Sequence, residues 1–244
     1  MGHGTPDWWG TEPTATTHKV SDLGELAARL GSIVTFDRRG DVVWLDDFGQ
    51  GLGSWVPEIK GTSAAVRLSA KQSFSAPYSC ELVAGADGDR YAEIQRYLPF
   101  PAEGKMGLEA SFTLDPNTEH VRIILAWYDG TYLRTWQVNY DLPDTTLACG
   151  GSDGQYEILN SNLSLRVSDM QFHTIKLVAD LENEEFARVL CNSLAYIPTV
   201  AVITKSGDPT APHLVIYIRQ YSVVTPALVP NIWVDNIIVT QNEP

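Results

Sequence analysis

No apolar run in this chain reaches the ~18–20 residues that a membrane-spanning helix requires. Basic residues are also scarce. Seventeen Lys and Arg are scattered along the chain, adjacent only at Arg38-Arg39, against 30 Asp and Glu, for a formal net charge of −13. Phosphate backbones need a basic face, so nucleic-acid binding is excluded, and docking on an anionic membrane surface is disfavoured on the same ground. Three cysteines, Cys80, Cys149 and Cys191, show no CxxC spacing and cannot all pair. Five histidines, His3, His18, His120, His173 and His213, form no HxH or HExxH pattern of a zinc site. The Gly-x-Ser-x-Gly elbow that holds a serine nucleophile is missing, as is the Glu-x-Asp-x-x-Glu triplet that places two carboxylates on one strand face. Glycine-rich Gly150–Gly154 lacks the lysine and following helix of a phosphate loop. No catalytic constellation is left standing, and the expectation is a protein that is not an enzyme.

The sequence is rich, by contrast, in material for a core. Hydrophobic residues make up 44% of 244, enough for one large domain or a domain with an appendage. Each cysteine lies in an apolar, strand-like run, which predicts buried free thiols and synthesis in a reducing compartment. The start, Met1 to Pro6, lacks the basic-then-apolar order of a secretory signal, so synthesis and use without that export route is expected, unless a signal has been removed.

Residues 1–40 differ from the rest. Met1 to Lys19 is rich in Gly, Pro and Thr and reads as an extended arm. Its adjacent Trp8 and Trp9 either staple the arm to its own domain or anchor it in a groove of a neighbouring subunit. Ser21 to Gly31 predicts one short helix, capped by Ser21, stopped by Gly31 and striped by Leu23, Leu26, Ala27 and Leu30. At three turns it needs a surface to pack on, which makes Trp8, Trp9, Leu23, Leu26 and Leu30 the candidate docking residues and a homo-oligomer the expected state.

From Asp41 to the end the period is two. Met106, Leu108, Ala110, Phe112 and Leu114 alternate with Gly107, Glu109, Ser111 and Thr113, the pattern of a half-buried strand. Strands are predicted at 121–128 and 132–140 around an Asp129-Gly130 turn, at 172–180 and 186–191 around a polar turn, and at 213–221 and 232–240. Weaker ones are predicted at 42–48, 64–68, 79–83, 91–97 and 155–159. Many short strands with Gly, Pro and Asp turns mean an all-β, two-sheet antiparallel sandwich for 41–244. Asp180, Glu182, Glu184 and Glu185 fall in a turn and read as solvated charge.

Asp46-Asp47-Phe48 with Gly51 and Trp55, then Ser79 to Leu82, resembles the opening of jelly-roll modules of the carbohydrate-binding and concanavalin A-like type. Trp233 to Val239 resembles their closing strand, and Phe172 to Asp180 with Phe186 to Arg188 resembles the central hairpin of laminin-G-like sandwiches. The resemblance implies a jelly roll and a structural calcium at Asp46, Asp47 and Asp235. Against the calcium stands the reading that these acids flank strand ends, solvated or paired with arginine. The arm, Leu23 to Leu30, Phe36 to Val42 and the closing Gln241 to Pro244 are together similar to tailed-phage structural proteins. That likeness implies a decoration role on a capsid or tail, at a virion surface, after synthesis in the host cytoplasm, with other virion proteins as partners; an extracellular location is the alternative.

A sugar platform needs aromatic rings exposed on one sheet face beside polar groups. Tyr132, Trp136 and Tyr140 share a face with Arg134 between them, and Tyr217 and Tyr221 share a face of another strand. Core faces of sandwiches are aromatic too, so each stripe also reads as core. The main expectation is a non-enzymatic virion protein held by its arm, and the alternative is a carbohydrate-binding module using Tyr132, Arg134, Trp136 and Tyr140. A glycoside hydrolase-like enzyme with a non-standard site is the third reading.

Overall fold

The computed structural model describes residues 37, 39–75, 77–86, 90–98, 104–152, 154–207, 210–223 and 229–244. Trp8, Trp9 and the expected helix with Leu23, Leu26 and Leu30 lie outside the described residues. By internal contacts the chain divides into Met1–Arg38 and Arg39–Pro244, and the second unit is the sandwich.

Sixteen strands form two eight-stranded antiparallel sheets, and no helix occurs among the described residues. The first sheet runs β13 (Leu194–Tyr196), β12 (Glu185–Cys191), β11 (Ser168–Asp180), β6 (Lys105–Leu114), β16 (Asn231–Gln241), β4 (Ser79–Val83), β3 (Ala65–Ser69), with β1 (Asp41–Asp46) also paired to β16. The second runs β10 (Tyr156–Asn160), β9 (Thr146–Gly150), β8 (Tyr132–Asp141), β7 (Thr118–Tyr128), β15 (His213–Ser222), β5 (Tyr91–Leu98), β2 (Val56–Lys60), with β14 (Ile203–Ser206) also paired to β8.

Side chains alternate along each strand, and the inward sets meet in one core that includes Phe112, Trp136, Tyr140, Ile94, Ile123 and Ile216. Burying each such side chain is worth ~1.5–3 kcal/mol. Cys80, Cys149 and Cys191 are free and lie in this core, where burial pushes every thiol up, that of Cys191 to about 12. The Asp129-Gly130 turn forms as expected: Gly130 takes φ 102°, and Asp129 accepts the N–H groups of Thr131 and Tyr132 at 2.7 and 2.8 Å.

β6 departs from its half-buried pattern, because its polar face is buried as well. Ser111 shares a hydrogen bond with Thr174 at 2.8 Å, and Thr113 accepts the Trp233 N–H at 2.9 Å. The C-terminus folds over the same face. Glu243 is sealed there, bonded to Lys176 at 2.7 Å, to Arg188, and to the Thr240 hydroxyl. Gly107 lies beneath it, where a Cβ would collide with Thr240 and Glu243.

Candidate functional site

The two faces of the second sheet are built from opposite chemistry. On β7, Val121, Ile123 and Leu125 enter the core, so His120, Arg122 and Ile124 stand on the outer face. By the same alternation β5 presents Tyr91, Glu93, Gln95 and Tyr97 outward, β15 presents Tyr217, Arg219 and Tyr221, and β8 presents Gln137, Asn139 and Asp141.

Strand register aligns these residues into three parallel rows. The central row reads Glu58, Glu93, Arg219, Arg122, Asn139, each directly opposite the next across β2, β5, β15, β7 and β8. On one side runs Tyr91, Tyr221, His120, Asp141. On the other runs Gln95, Tyr217, Ile124, Gln137, with Tyr156 of β10 bonded to Gln137 at 3.0 Å. Ile124, Ala126 and Val215 make a small apolar floor beneath Tyr217 and Leu133.

Two arginines organise the polar part. Arg219 donates to Glu93 Oε2 at 2.6 Å and to the Tyr221 hydroxyl at 2.6 Å, and it lies 4.3 Å from the Tyr91 ring centre. Burial raises the Glu93 carboxyl above its usual range, and Arg219 opposes that shift. Arg122 donates to Tyr221 at 3.3 Å and to Tyr156 at 3.2 Å, and stacks 5.0 Å from the Tyr221 ring. Its third partner is His120 Nε2 at 3.2 Å. A guanidinium only donates, so this nitrogen accepts and the imidazole proton sits on Nδ1. Burial, with Arg122, Arg219 and Arg90 nearby, lowers the His120 pKa to about 3 and keeps the ring neutral.

Tyr221 and Tyr156 each accept two N–H bonds, from Arg219 and Arg122 and from Arg122 and Gln137 respectively. Each phenol keeps its own O–H as a donor. Glu93 Oε1, Arg122 Nε and Asn139 Oδ1 are buried in the same floor without a hydrogen-bond partner. Unmet polar groups of this kind cost ~1–3 kcal/mol each.

The stripe on β8 is corrected. Trp136 and Tyr140 are 0% exposed and face the core. Trp136 donates its indole N–H to the Glu185 carbonyl at 2.8 Å, and Tyr140 donates to the Leu163 carbonyl at 2.9 Å. Arg134 is buried against Asp129 at 2.5 Å and Glu184 at 2.7 Å, where it closes one end of the sandwich. Tyr132 stays exposed beside it, 5.6 Å from the Arg134 guanidinium. None of the four reaches the three rows, which lie on the opposite face. Tyr217 and Tyr221 do lie in those rows, one on each side of Arg219.

The candidate calcium acids are engaged in local hydrogen bonds. Asp46 accepts the Phe48 N–H at 2.7 Å and the Trp55 indole N–H at 2.9 Å. Asp47 accepts the Gly49 N–H at 2.9 Å, and Asp235 accepts those of Phe74 at 2.6 Å and Asn236 at 2.8 Å. These carboxylates shape turns and the β16 bulge at Asn236, whose φ is 49°. No group of three or more Asp, Glu, His or Cys suited to a metal ion occurs among the described residues. Of the turn acids, Asp180 caps its own turn through Glu182 and Asn183, and Glu184 pairs with Arg134. His173 is packed, with Nε2 donating to the Arg166 carbonyl at 2.9 Å.

Sixteen antiparallel strands in two facing sheets, with a polar and aromatic outer face on one of them, define a jelly-roll sandwich of the concanavalin A-like class. Among solved structures, the chain is similar to a cellulose-induced protein, Cip1, at 14% identity and a TM-score of 0.57, covering 82% of this chain and 97% of that one. It is also similar to a galectin-like protein of unknown function from Bacillus subtilis, at 11% identity and a TM-score of 0.52, covering 85% and 98%. A third neighbour is the Emp47p carbohydrate recognition domain, at 13% identity and a TM-score of 0.49, covering 84% and 98%. No protein-family model and no curated protein matches the sequence. The first two likenesses bear on the fold alone.

Proposed function

We propose that the chain is a carbohydrate-binding module whose glycan lies across the outer face of the second sheet. The observation that carries this reading is the three-row array. Tyrosine rings flank a central line of carboxylate, guanidinium and amide groups, and two of the phenols keep an O–H to donate. Pyranose rings stack on aromatic faces while hydroxyls take planar donors and acceptors; this face offers the exposed rings of Tyr97 and Tyr156 beside the polar row. The Emp47p domain is a carbohydrate recognition domain by name; the proposal for this chain rests on the array.

The face binds without cleaving. Its two directly opposed acids, Glu58 and Glu93, are each engaged, Glu58 by the Tyr91 hydroxyl and Glu93 by Arg219, which supports binding over cleavage by a pair of free carboxylates. New reducing ends on a polysaccharide panel, lost in Glu93→Gln, would show an enzyme instead.

The test is a glycan array followed by calorimetry on the best ligand. Tyr156, 44% exposed, is replaced by Ala, and Tyr221 by Ala with thermal melting as a folding control. Both variants are expected to weaken binding by ~10-fold or more. Full affinity in both would end the reading. Attachment of this module to a virion surface as a homo-oligomer through residues 1–40 is a separate proposal. A chain starting at Asp41 that still bound its particle fully would refute it.

A further inference from the structure

We infer that the glycan held by this face carries a carboxylate, a uronate sugar, and that Arg122 is the group that takes it. The inference rests on the glycan-binding reading and narrows it to a chemical class.

The central row has a charge order. From β2 to β8 it runs acid, acid, arginine, arginine, amide. Arg219 is neutralised by Glu93 at 2.6 Å, and Arg90 beside the row is neutralised by Glu119 at 3.1 Å. Glu58, the remaining acid, accepts from Tyr91 at the far end of the row. Arg122 bonds two phenols and one imidazole, and among the described residues it meets no carboxylate.

Like charges directly opposite on neighbouring strands destabilise a sheet, yet Arg122 faces Arg219. The arrangement also removes the usual remedies. His120 accepts from Arg122 and so adds no negative charge, and the Tyr221 oxygen is shared between both arginines. A chain of net charge −13 has acids to spare, yet among the described residues none is bonded to this half-buried guanidinium, and Glu93, whose charge it feels, is bonded to Arg219. A cation with no carboxylate in contact on a binding face is complementary to an anion. Arginine's planar fork suits a carboxylate in particular. The phenol O–H groups of Tyr221 and Tyr156, one on each side, can donate to its oxygens or the neighbouring hydroxyls.

The experiment uses the full chain and matched probes. Hexasaccharides of polygalacturonate, polymannuronate and polyglucuronate are titrated beside the carboxyl-reduced form of each, for the wild type, Arg122→Gln and Arg122→Lys, with thermal melting of every variant. The expected result is that at least one uronate binds ~10–100-fold more tightly than its reduced form, that salt weakens it, and that Arg122→Gln removes the preference while Arg122→Lys keeps part of it. Equal affinity for acidic and reduced forms, or a preference that survives Arg122→Gln, would overturn the inference and leave the glycan reading intact. No binding of any acidic or neutral glycan would overturn both.

Discussion

Arg122 and Arg219 stand directly opposite one another on adjacent antiparallel strands, and both donate to the same hydroxyl, that of Tyr221. The two guanidiniums differ in one respect: Arg219 has a buried carboxylate partner, Glu93, and Arg122 is bonded to none among the described residues. That asymmetry separates a residue that holds the fold from one placed for a ligand, and it gives a first prediction. Arg219→Gln leaves Glu93 buried and unpaired and is expected to cost ~3–5 kcal/mol. Arg122→Gln removes a repelled charge and is expected to leave the melting temperature unchanged or raise it. Parallel thermal melts decide the matter, and equal losses in both variants would contradict the distinction.

Glu243 gives the second prediction. Its side chain is 0% exposed and bonded to Lys176, Arg188 and Thr240. Glu243→Ala removes a buried acid from between two buried cations, and urea unfolding should show a loss of ~3–5 kcal/mol. A loss below ~1 kcal/mol, the range of an exposed pair, would mean that the C-terminus is not sealed on the first sheet.

A third prediction concerns acid. His120 titrates near 3 in the folded chain against 6.5 for a free imidazole, chiefly through burial, and burial also lowers His173. Below pH 6.5 the unfolded chain binds more protons at these positions, so stability is full above that pH and falls as pH drops towards 3. Glu93 has the opposite sign: its raised carboxyl contributes stability at low pH that is lost as pH rises through the folded value. Urea titrations between pH 7 and pH 4 should therefore show falling stability for the wild type and a shallower fall for His120→Gln. An identical slope in the two would place the titration elsewhere.

Trp136 supplies the fourth. With its ring in the core and its indole bonded to Glu185, Trp136→Ala is expected to cost ~3–5 kcal/mol. Mild conditions that keep the variant folded should leave glycan affinity intact. Lost affinity in a fully stable variant would return Trp136 to the binding face.

Much of the fold was legible in the sequence because alternation is a local signal. Strands such as 106–114 and the Asp129-Gly130 turn could be located from neighbours in the chain alone. The short β2, β9, β13 and β14 escaped, since three to five residues such as Val56–Lys60 carry too little pattern. β6 misled in a different way: its polar alternate residues are buried by hydrogen bonds from β11 and β16, which its own sequence does not announce.

The site was less legible, because its central row takes Glu58, Glu93, Arg122, Asn139 and Arg219 from five strands spread over the chain. Only register brings them together. The aromatic stripe of β8 was weighed by ring content, although Val138 shares the phase of Trp136 and Tyr140 while Gln137, Asn139 and Asp141 occupy the other phase. That phase places the rings inward. The same test applied to Tyr217-x-Arg219-x-Tyr221 and to His120-x-Arg122 finds polar groups alternating with Ile218, Gln220 and Val121, and it points to the outer face that carries the array.

The most direct test of glycan binding on this face is amide chemical-shift mapping during titration with the tightest ligand from the array. Shifts concentrated at Glu93, Arg122, Asn139, Tyr156, Arg219 and Tyr221, with the first sheet silent, are the predicted result. Shifts confined to the first sheet, or none at a saturating concentration, would contradict the account.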